Sequence, residues 1–336
     1  MTSLIDKPFA ILANPEGRCW KFAEEVYSKV KKMCKREEGL EDKIALIGIE
    51  IKRFRDGEIK PKIQENIRKK TCFFIHDSSL NPDEWFLQVH LINYAIKFSS
   101  ASELIDIFPY LPFSRQDRKD ESRVPISARS IADALCLYAN RVITVDVHAP
   151  QIQGFYNLPF DNLLSFPYAV KQIFDKHPEL LEEELAIMTP DAGGTLRAST
   201  FKDKIVTNYN KETNLIVGYK QRPKAGEVSN DYRIAGDAEG RNVIIIDDII
   251  DSGNTLVKAS QALKNANANK IYTYSTHALF TDGFSTVKPY FERVFVSNTR
   301  MPAISDEKLE ILDMSPLIAE AIYRTAVGES LSALFK

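Results

Sequence analysis

Apolar positions along the chain recur with two different periods. Phe22, Ala23, Val26, Tyr27, Val30 and Met33 fall at helical spacing, and so do Trp85, Val89, Ile92 and Ile96. Ile131, Ala134, Leu135 and Tyr138 make another such stripe, and Leu256, Ala259 and Leu263 one more. Between the stripes lie short apolar runs: Leu104–Phe108, Val142–Val145, Leu185–Met188, Leu215–Val217, Val243–Ile246, Ile271–Tyr274 and Val294–Val296. These runs are too short for helices and rich in isoleucine and valine, which predicts strands. Strands that alternate with helices predict an α/β fold with largely parallel sheets. The helical stripes belong to the core in this reading, not to a cofactor box.

The chain has 336 residues, enough for about two domains of roughly 100–200 residues each. No proline- or glycine-rich linker divides it, and the boundary is expected near Phe166 and Pro167. Val142–Asp146 and Val243–Asp247 both run from strand into acid, a weak sign of two related halves. Hydrophobic residues make 44% and charged residues 27%, which excludes a disordered tail, a collagen or a disulfide-stapled miniprotein. Lysine and arginine number 44 against 46 acids, so a global polycation for nucleic acid is not expected. No apolar run approaches the roughly 18 residues of a membrane span. MTSLIDKPFA lacks a basic region followed by a long apolar core, so no signal peptide is expected. Cys19, Cys34, Cys72 and Cys136 are widely spread and form no CxxC or zinc-finger spacing. They read as reduced, packed thiols in a cytoplasmic protein.

Polar chemistry collects at the strand ends, where open α/β sheets bind ligands. Leu104–Phe108 leads into PYLPFSRQDRKDESR, and Val142–Val145 into DVHAPQ. Leu185–Met188 leads into TPDAGGTLR, Leu215–Val217 into GYKQRPKAGEV, and Val243–Ile246 into DDIIDSGNT. Such ends suggest one large polyanion site shared between elements. In DDIIDSGNT, Asp247–Thr255, a strand ends in two carboxylates and a loop of Ser252, Gly253, Asn254 and Thr255 precedes a helix expected from Leu256. Loop amides, the two hydroxyls and the helix N-terminus suit a phosphate, and Gly253 permits close backbone approach. The carboxylates would repel that phosphate, but they suit ribose hydroxyls or a cation. A sugar phosphate satisfies both halves. A plain acidic turn with a Ser/Thr helix cap would need one hydroxyl, not the whole string.

DDIIDSGNT resembles the signature of proteins that bind 5-phosphoribosyl-1-pyrophosphate (PRPP), which fits a phosphoribosyltransferase or the synthetase that makes the compound. The first half separates the two. RFRDGEIKPKIQENIR at Arg53–Arg68 resembles the nucleotide-binding loop of the ribose-phosphate pyrophosphokinases. SRQDRKDESRVPISARSIADAL at Ser114–Leu135, VDVHAPQIQGF at Val145–Phe155 and TPDAGGTLR at Thr189–Arg197 continue the match in order. KQRPKAGEV at Lys220–Val228 resembles that family's flexible catalytic loop. Simple phosphoribosyltransferases are shorter and lack this first half.

The resemblance implies two similar phosphoribosyltransferase-like α/β domains, each a mainly parallel sheet flanked by helices. They are expected at 1–166 and 167–314. The segment 315–336, with Leu317, Ile318, Ala321 and Ile322 at helical spacing, is expected to pack back on the first. The implied activity is Mg2+-dependent transfer of the β,γ-pyrophosphoryl group of ATP to ribose 5-phosphate. Asp247 and Asp248 would take ribose hydroxyls, and Asp251, Ser252, Gly253, Asn254 and Thr255 would surround the 5-phosphate. Phe54, Asp56 and Glu58 would line the adenine side, with Arg115, Gln116, Asp117 and Asp120 at the ATP phosphates. His148 and Asp191 are the expected magnesium-linked pair, with Asp146 and Asp161 in support. Lys220 and Arg222, alternating after a strand, are the expected catalytic cations. A homo-oligomer, dimer or hexamer, is implied as well, with Phe54 supplied by a neighbouring copy.

Several positions depart from the family pattern: Gln221 for a glutamate, Gly226 for an asparagine, Leu196 for a lysine and Asn157 for an aspartate. Pro150 stands where many members have serine, and THALFTDGF at Thr276–Phe284 is divergent. These departures fall where the resemblance would place phosphate activation and ADP feedback, so the sequence leaves both open. A phosphoribosyltransferase would need a base-binding hood that the sequence does not show. A catalytically silent associated subunit is disfavoured because Lys220, Arg222, His148 and Asp191 are all retained.

Overall fold

The structure is a computed structural model and describes residues 8–36, 39–220 and 232–335. It divides into two units. The amino-terminal unit runs to Leu164 and takes in Thr299–Met301 and the segment from Met314; the carboxy-terminal unit holds Ser165–Asn298 and Pro302–Asp313. The break falls just ahead of Phe166 and Pro167, which open a helix.

In the amino-terminal unit the elements are β1 (Phe9–Ala13), α1 (Trp20–Cys34), β2 (Ile44–Arg53), β3 (Ile59–Ile63), β4 (Thr71–Ile75), α2 (Pro82–Phe98), β5 (Glu103–Phe108), α3 (Ser127–Leu135), β6 (Arg141–Val145) and β7 (Phe160–Leu163). The carboxy-terminal unit follows with α4 (Phe166–Lys176), α5 (Glu179–Glu182), β8 (Leu185–Thr189), α6 (Thr195–Tyr209), β9 (Asn214–Lys220), β10 (Tyr232–Ala235), β11 (Asn242–Ile250), α7 (Asn254–Asn265), β12 (Ile271–Ala278), β13 (Arg293–Ser297) and β14 (Leu309–Leu312). The last helix, α8 (Ser315–Val327), belongs to the amino-terminal unit and packs on α1.

Each unit has one seven-stranded sheet, in the orders β3-β2-β1-β4-β5-β6-β7 and β10-β9-β8-β11-β12-β13-β14. Only β3 and β10 run antiparallel to their neighbours. Adding seven to each strand number of the first sheet gives the second, so the units share one topology. That equivalence corrects one expectation. The echo between Val142–Asp146 and Val243–Asp247 aligns β6 with β11, whereas topology matches β6 to β13 and β4 to β11. The halves are related, but that echo is not the sign of it.

The helices form where apolar stripes meet the sheets. On α1 the buried positions are Phe22, Ala23, Val26, Val30 and Cys34; Tyr27 and Met33 are only half-buried. The apolar side of Cys34 completes the stripe one residue beyond the expected end. Helix α2 starts at Asn81, whose side chain accepts from the Asp83 amide at 3.1 Å, with Pro82 in the first turn. It buries Trp85, Val89, Ile92 and Ile96, each worth about 1.5–3 kcal/mol of burial. On α7 the expected Leu256, Ala259 and Leu263 are all buried. All four cysteines are free thiols. No helix among the described residues is long and apolar enough to cross a membrane.

Candidate active site

In the carboxy-terminal unit the site is built at the carboxyl ends of two adjacent strands, β8 and β11. The expected strand stopped at Ile246, but β11 runs on to Ile250, so Asp247 and Asp248 lie inside it. Neighbouring β12 extends far enough to pair with this part, setting Asp247 against Ser275 and Ile250 against Ala278. The helix starts at Asn254 rather than Leu256, because Gly253 is its N-cap at φ +81°. A Cβ on Gly253 would lie 2.3 Å from Val287 Cγ2. Gly253 is thus fixed by backbone conformation and by close packing, which leaves the Ser252–Thr255 amides at a helix N-terminus. Thr281 Oγ1 donates to Asp251 Oδ1 at 2.7 Å, so the divergent Thr276–Phe284 segment braces this loop directly.

The two acids are not alike. The Asp247 side chain is 18% exposed and that of Asp248 only 4%. Arg197, in the first turn of α6, brings Nη1 to 3.3 Å from Asp248 Oδ1 and 3.9 Å from Asp247 Oδ1. Burial and the Asp248 charge push the Asp247 carboxyl well above the usual carboxylate range, while Arg197 pulls it back.

Asp191 follows β8, where its Oδ1 accepts from the Gly194 amide at 3.0 Å. The side chain is exposed and aligned by that bond. Leu196 is 76% exposed. Tyr232, at the start of β10, donates from its hydroxyl to the Pro190 carbonyl at 2.7 Å. Gly218 on β9 lies under that hydroxyl, and a Cβ there would meet it at 2.0 Å. Lys220 is the last residue of β9 and pairs in register with Tyr232, so residues 221–231 join two antiparallel strands. Arg222, with Gln221 and Gly226, lies outside the described residues.

In the amino-terminal unit the expected residues other than Asp161 also follow the carboxyl ends of strands. Phe54, Asp56 and Glu58 form the turn of the β2–β3 hairpin, closed by the Phe54 amide on the Glu58 carbonyl at 2.8 Å. Glu58 N donates to Asp56 Oδ1 at 3.1 Å, and the Phe54 ring is 54% exposed. Arg115–Asp120 follow β5. Gln116 Nε2 donates to Asp120 Oδ1 at 3.1 Å, which holds the Asp120 carboxyl below its ordinary range. Gln151 Nε2 donates to Asp117 Oδ2 at 2.7 Å and ties this loop to the end of β6. There Asp146 adopts a left-handed φ of +40° and is buried, and His148 two residues on is exposed. A left-handed non-glycine residue at a strand end is a strained turn of the kind that functional sites retain. Asp161 corrects an expectation: it is the second residue of β7 and is ion-paired with Arg141, the first of β6, so it lies at the opposite end of these strands from Asp146 and His148. His148 and Asp191 thus belong to different units. Strands β2 and β5 are three steps apart in their sheet, roughly 14 Å at about 4.8 Å per strand.

Arg197, Gln151, Tyr232 and Thr281 were not among the expected site residues. Arg197 and Gln151 lie inside the motifs TPDAGGTLR and VDVHAPQ, so a signal existed for them. Thr281 lies in the divergent THALFTDGF segment, whereas nothing in the sequence around Tyr232 marks it; the pairing of β9 with β10 brings it in.

Comparison with known proteins follows this geometry. Residues 17–138 match the model of the N-terminal domain of ribose phosphate pyrophosphokinase. Residues 218–336 match the phosphoribosyl synthetase-associated domain. A ribose-phosphate pyrophosphokinase of Haemophilus ducreyi is 37% identical over 301 residues, covering 87% of this chain and 92% of the relative. That of Thermotoga maritima is 35% identical over 290 residues, covering 85% and 90%. The crystal structure of phosphoribosylpyrophosphate synthetase from Mycobacterium smegmatis superposes with a TM-score of 0.78 at 25% identity, covering 95% of this chain and 99% of that one. The chain belongs to the ribose-phosphate pyrophosphokinase family.

Proposed function

We propose that this chain is a ribose-phosphate diphosphokinase. It transfers the β,γ-pyrophosphoryl group of ATP to the 1-hydroxyl of ribose 5-phosphate, giving PRPP and AMP for nucleotide biosynthesis. The observation that carries this reading is the end of β11. Two carboxylates there stand just ahead of a helix N-terminus whose cap is a left-handed glycine. Asp247 takes ribose hydroxyls, and Asp251–Thr255 surround the 5-phosphate. Phe54 with Asp56 and Glu58 receives adenine, and Arg115–Asp120 meets the ATP phosphates. Lys220 and Arg222 neutralise charge on the transferring group. Transfer of this kind needs positioning and electrostatics rather than a covalent intermediate.

Mg2+ fits the donors present. The described residues hold no group of three His, Cys, Asp or Glu able to cage a metal. Magnesium keeps several waters and is carried largely by substrate phosphates, so one exposed carboxylate such as Asp191 suits it better than a full protein cage. His148 is the other expected magnesium-linked residue, acting through water, and Asp146 shapes its turn. When bound, the cation neutralises charge on the polyphosphate. We further propose a homo-oligomer in the cytoplasm. The hairpin carrying Phe54 leaves β2, three strands from the β5 that leads to Arg115, which favours a second copy as the source of the adenine contact.

The test is AMP formation from ATP and ribose 5-phosphate with magnesium, with and without inorganic phosphate. Turnover in both is expected. Lys220→Ala should lose turnover by about 100-fold or more while ATP binding stays close to that of the parent chain. No AMP from folded protein under either condition would overturn the enzyme reading in favour of a silent associated subunit.

A further inference from the structure

Asp247 and Asp248 form an adjacent pair of largely buried acids, and two such groups do not both ionise unless a cation compensates them. The cation is Arg197. It reaches both carboxylates, at 3.3 Å and 3.9 Å, from an α6 position five residues after Ala192 in TPDAGGTLR. The approach is built in. A Cβ on Gly194 would fall 2.4 Å from Thr189 Oγ1 and 3.6 Å from Arg197 Nη1, so the glycine keeps this corner open. The Tyr232 phenol of β10 also feels Asp247 and is itself pushed up by burial and by Asp191 and Asp247; on the paired β12, His277 stands opposite Ile249.

From this arrangement we infer that Arg197 is a positioning residue for the sugar. Its guanidinium braces Asp248 at 3.3 Å and lies 3.9 Å from Asp247, which leaves Asp247 as the acceptor that ribose hydroxyls meet. The inference rests on the reading of Asp247 as a ribose ligand. In it the two acids have different duties. Asp248, the more buried, carries the arginine; Asp247, the more exposed, faces the substrate. Without Arg197 the two adjacent acids lose the cation they share, and protonation of the pair is favoured further, which misaligns it for a diol.

The experiment compares Arg197→Gln, Arg197→Lys and Asp247→Asn in steady-state kinetics across pH, with thermal unfolding and far-UV circular dichroism as folding controls. Arg197→Gln is expected to raise KM for ribose 5-phosphate about tenfold or more and leave KM for ATP within about twofold. Its acid limb in kcat/KM for ribose 5-phosphate should move to higher pH, because loss of the cation raises the carboxyl pKa further. Arg197→Lys should restore part of both effects. Equal rises in the two KM values, or an acid limb that stays in place, would overturn the inference. If Arg197→Gln does not fold, Arg197→Lys alone decides, since its shorter reach still predicts a displaced acid limb. If Asp247→Asn raises KM for ribose 5-phosphate while the Arg197 variants do not, the inference fails and the ribose reading stands. If none of the three changes that KM, both fail.

Discussion

Gly253 shows how much one residue decides in this protein. Its φ of +81° lies where an L side chain is strained, and Val287 fills the space a Cβ would need. Gly253→Ala is therefore expected to lose about 1–2 kcal/mol from backbone strain, and more if Val287 must move. The measurable result is a lower thermal midpoint together with a KM for ribose 5-phosphate raised at least several-fold. Saturation by sugar phosphate at the parent concentration would contradict the cradle. This glycine was legible in the sequence, because Ser-Gly-Asn-Thr between a strand and a helix has few other uses. The unequal burial of Asp247 and Asp248 was not legible. Adjacent acids look identical in a sequence, and only Arg197 and the reach of β12 make one an anchor and the other a face.

At the scale of elements, Tyr232 ties the antiparallel pair β9 and β10 to the loop after β8. The phenol bonds the Pro190 carbonyl one residue before Asp191. Tyr232→Phe leaves that half-buried carbonyl short of a donor, a cost of about 1–3 kcal/mol in local order. The magnesium concentration for half-maximal rate should rise several-fold, read from initial rates at fixed ATP. An unchanged magnesium dependence would show that the bond does not set the Asp191 loop. The apolar pattern did not reveal seven of the strands: the central, buried β1 and β4, whose short apolar runs were missed although their signal is strong, and β2, β3, β7, β10 and β14, whose signal is weak. β3, β7, β10 and β14 include the edges of both sheets. An edge strand packs against one neighbour and carries exposed lysines or a proline, as IKPKI at Ile59–Ile63 does, so its apolar signal is thin. β2 alternates weakly and runs into the hairpin turn of Phe54, where its residues read as motif rather than strand.

For the whole molecule, chain order and spatial order differ at the carboxyl end. The chain leaves the carboxy-terminal unit at β14, and α8 returns to cover α1 of the amino-terminal unit. Leu317, Ile318, Ala321 and Ile322 are all fully buried there. Ile318→Asp places an unpaired charge in that core and should cost more than about 3 kcal/mol. Hydrogen exchange is expected to speed up across β1 and α1 while amides of β8 and β11 keep their protection. Equal loss in both units would mean that they do not unfold as separate cooperative bodies.

The fold class and the polar strand ends are legible in the residues alone. Apolar periodicity reports burial one element at a time, and phosphate-binding loops must be contiguous to present successive amides. The sequence also determined the family, through motifs spread along most of the chain. The tertiary structure decided what depends on residues distant in sequence. It set the shared seven-strand order of the two units, with β4 rather than β6 as the counterpart of β11. It gave Arg197 to the paired acids, Tyr232 to the Asp191 loop and Thr281 to Asp251. The physical reason is that these are pairwise contacts between elements. Their energies come from distance, burial and charge, which no local pattern of residues encodes.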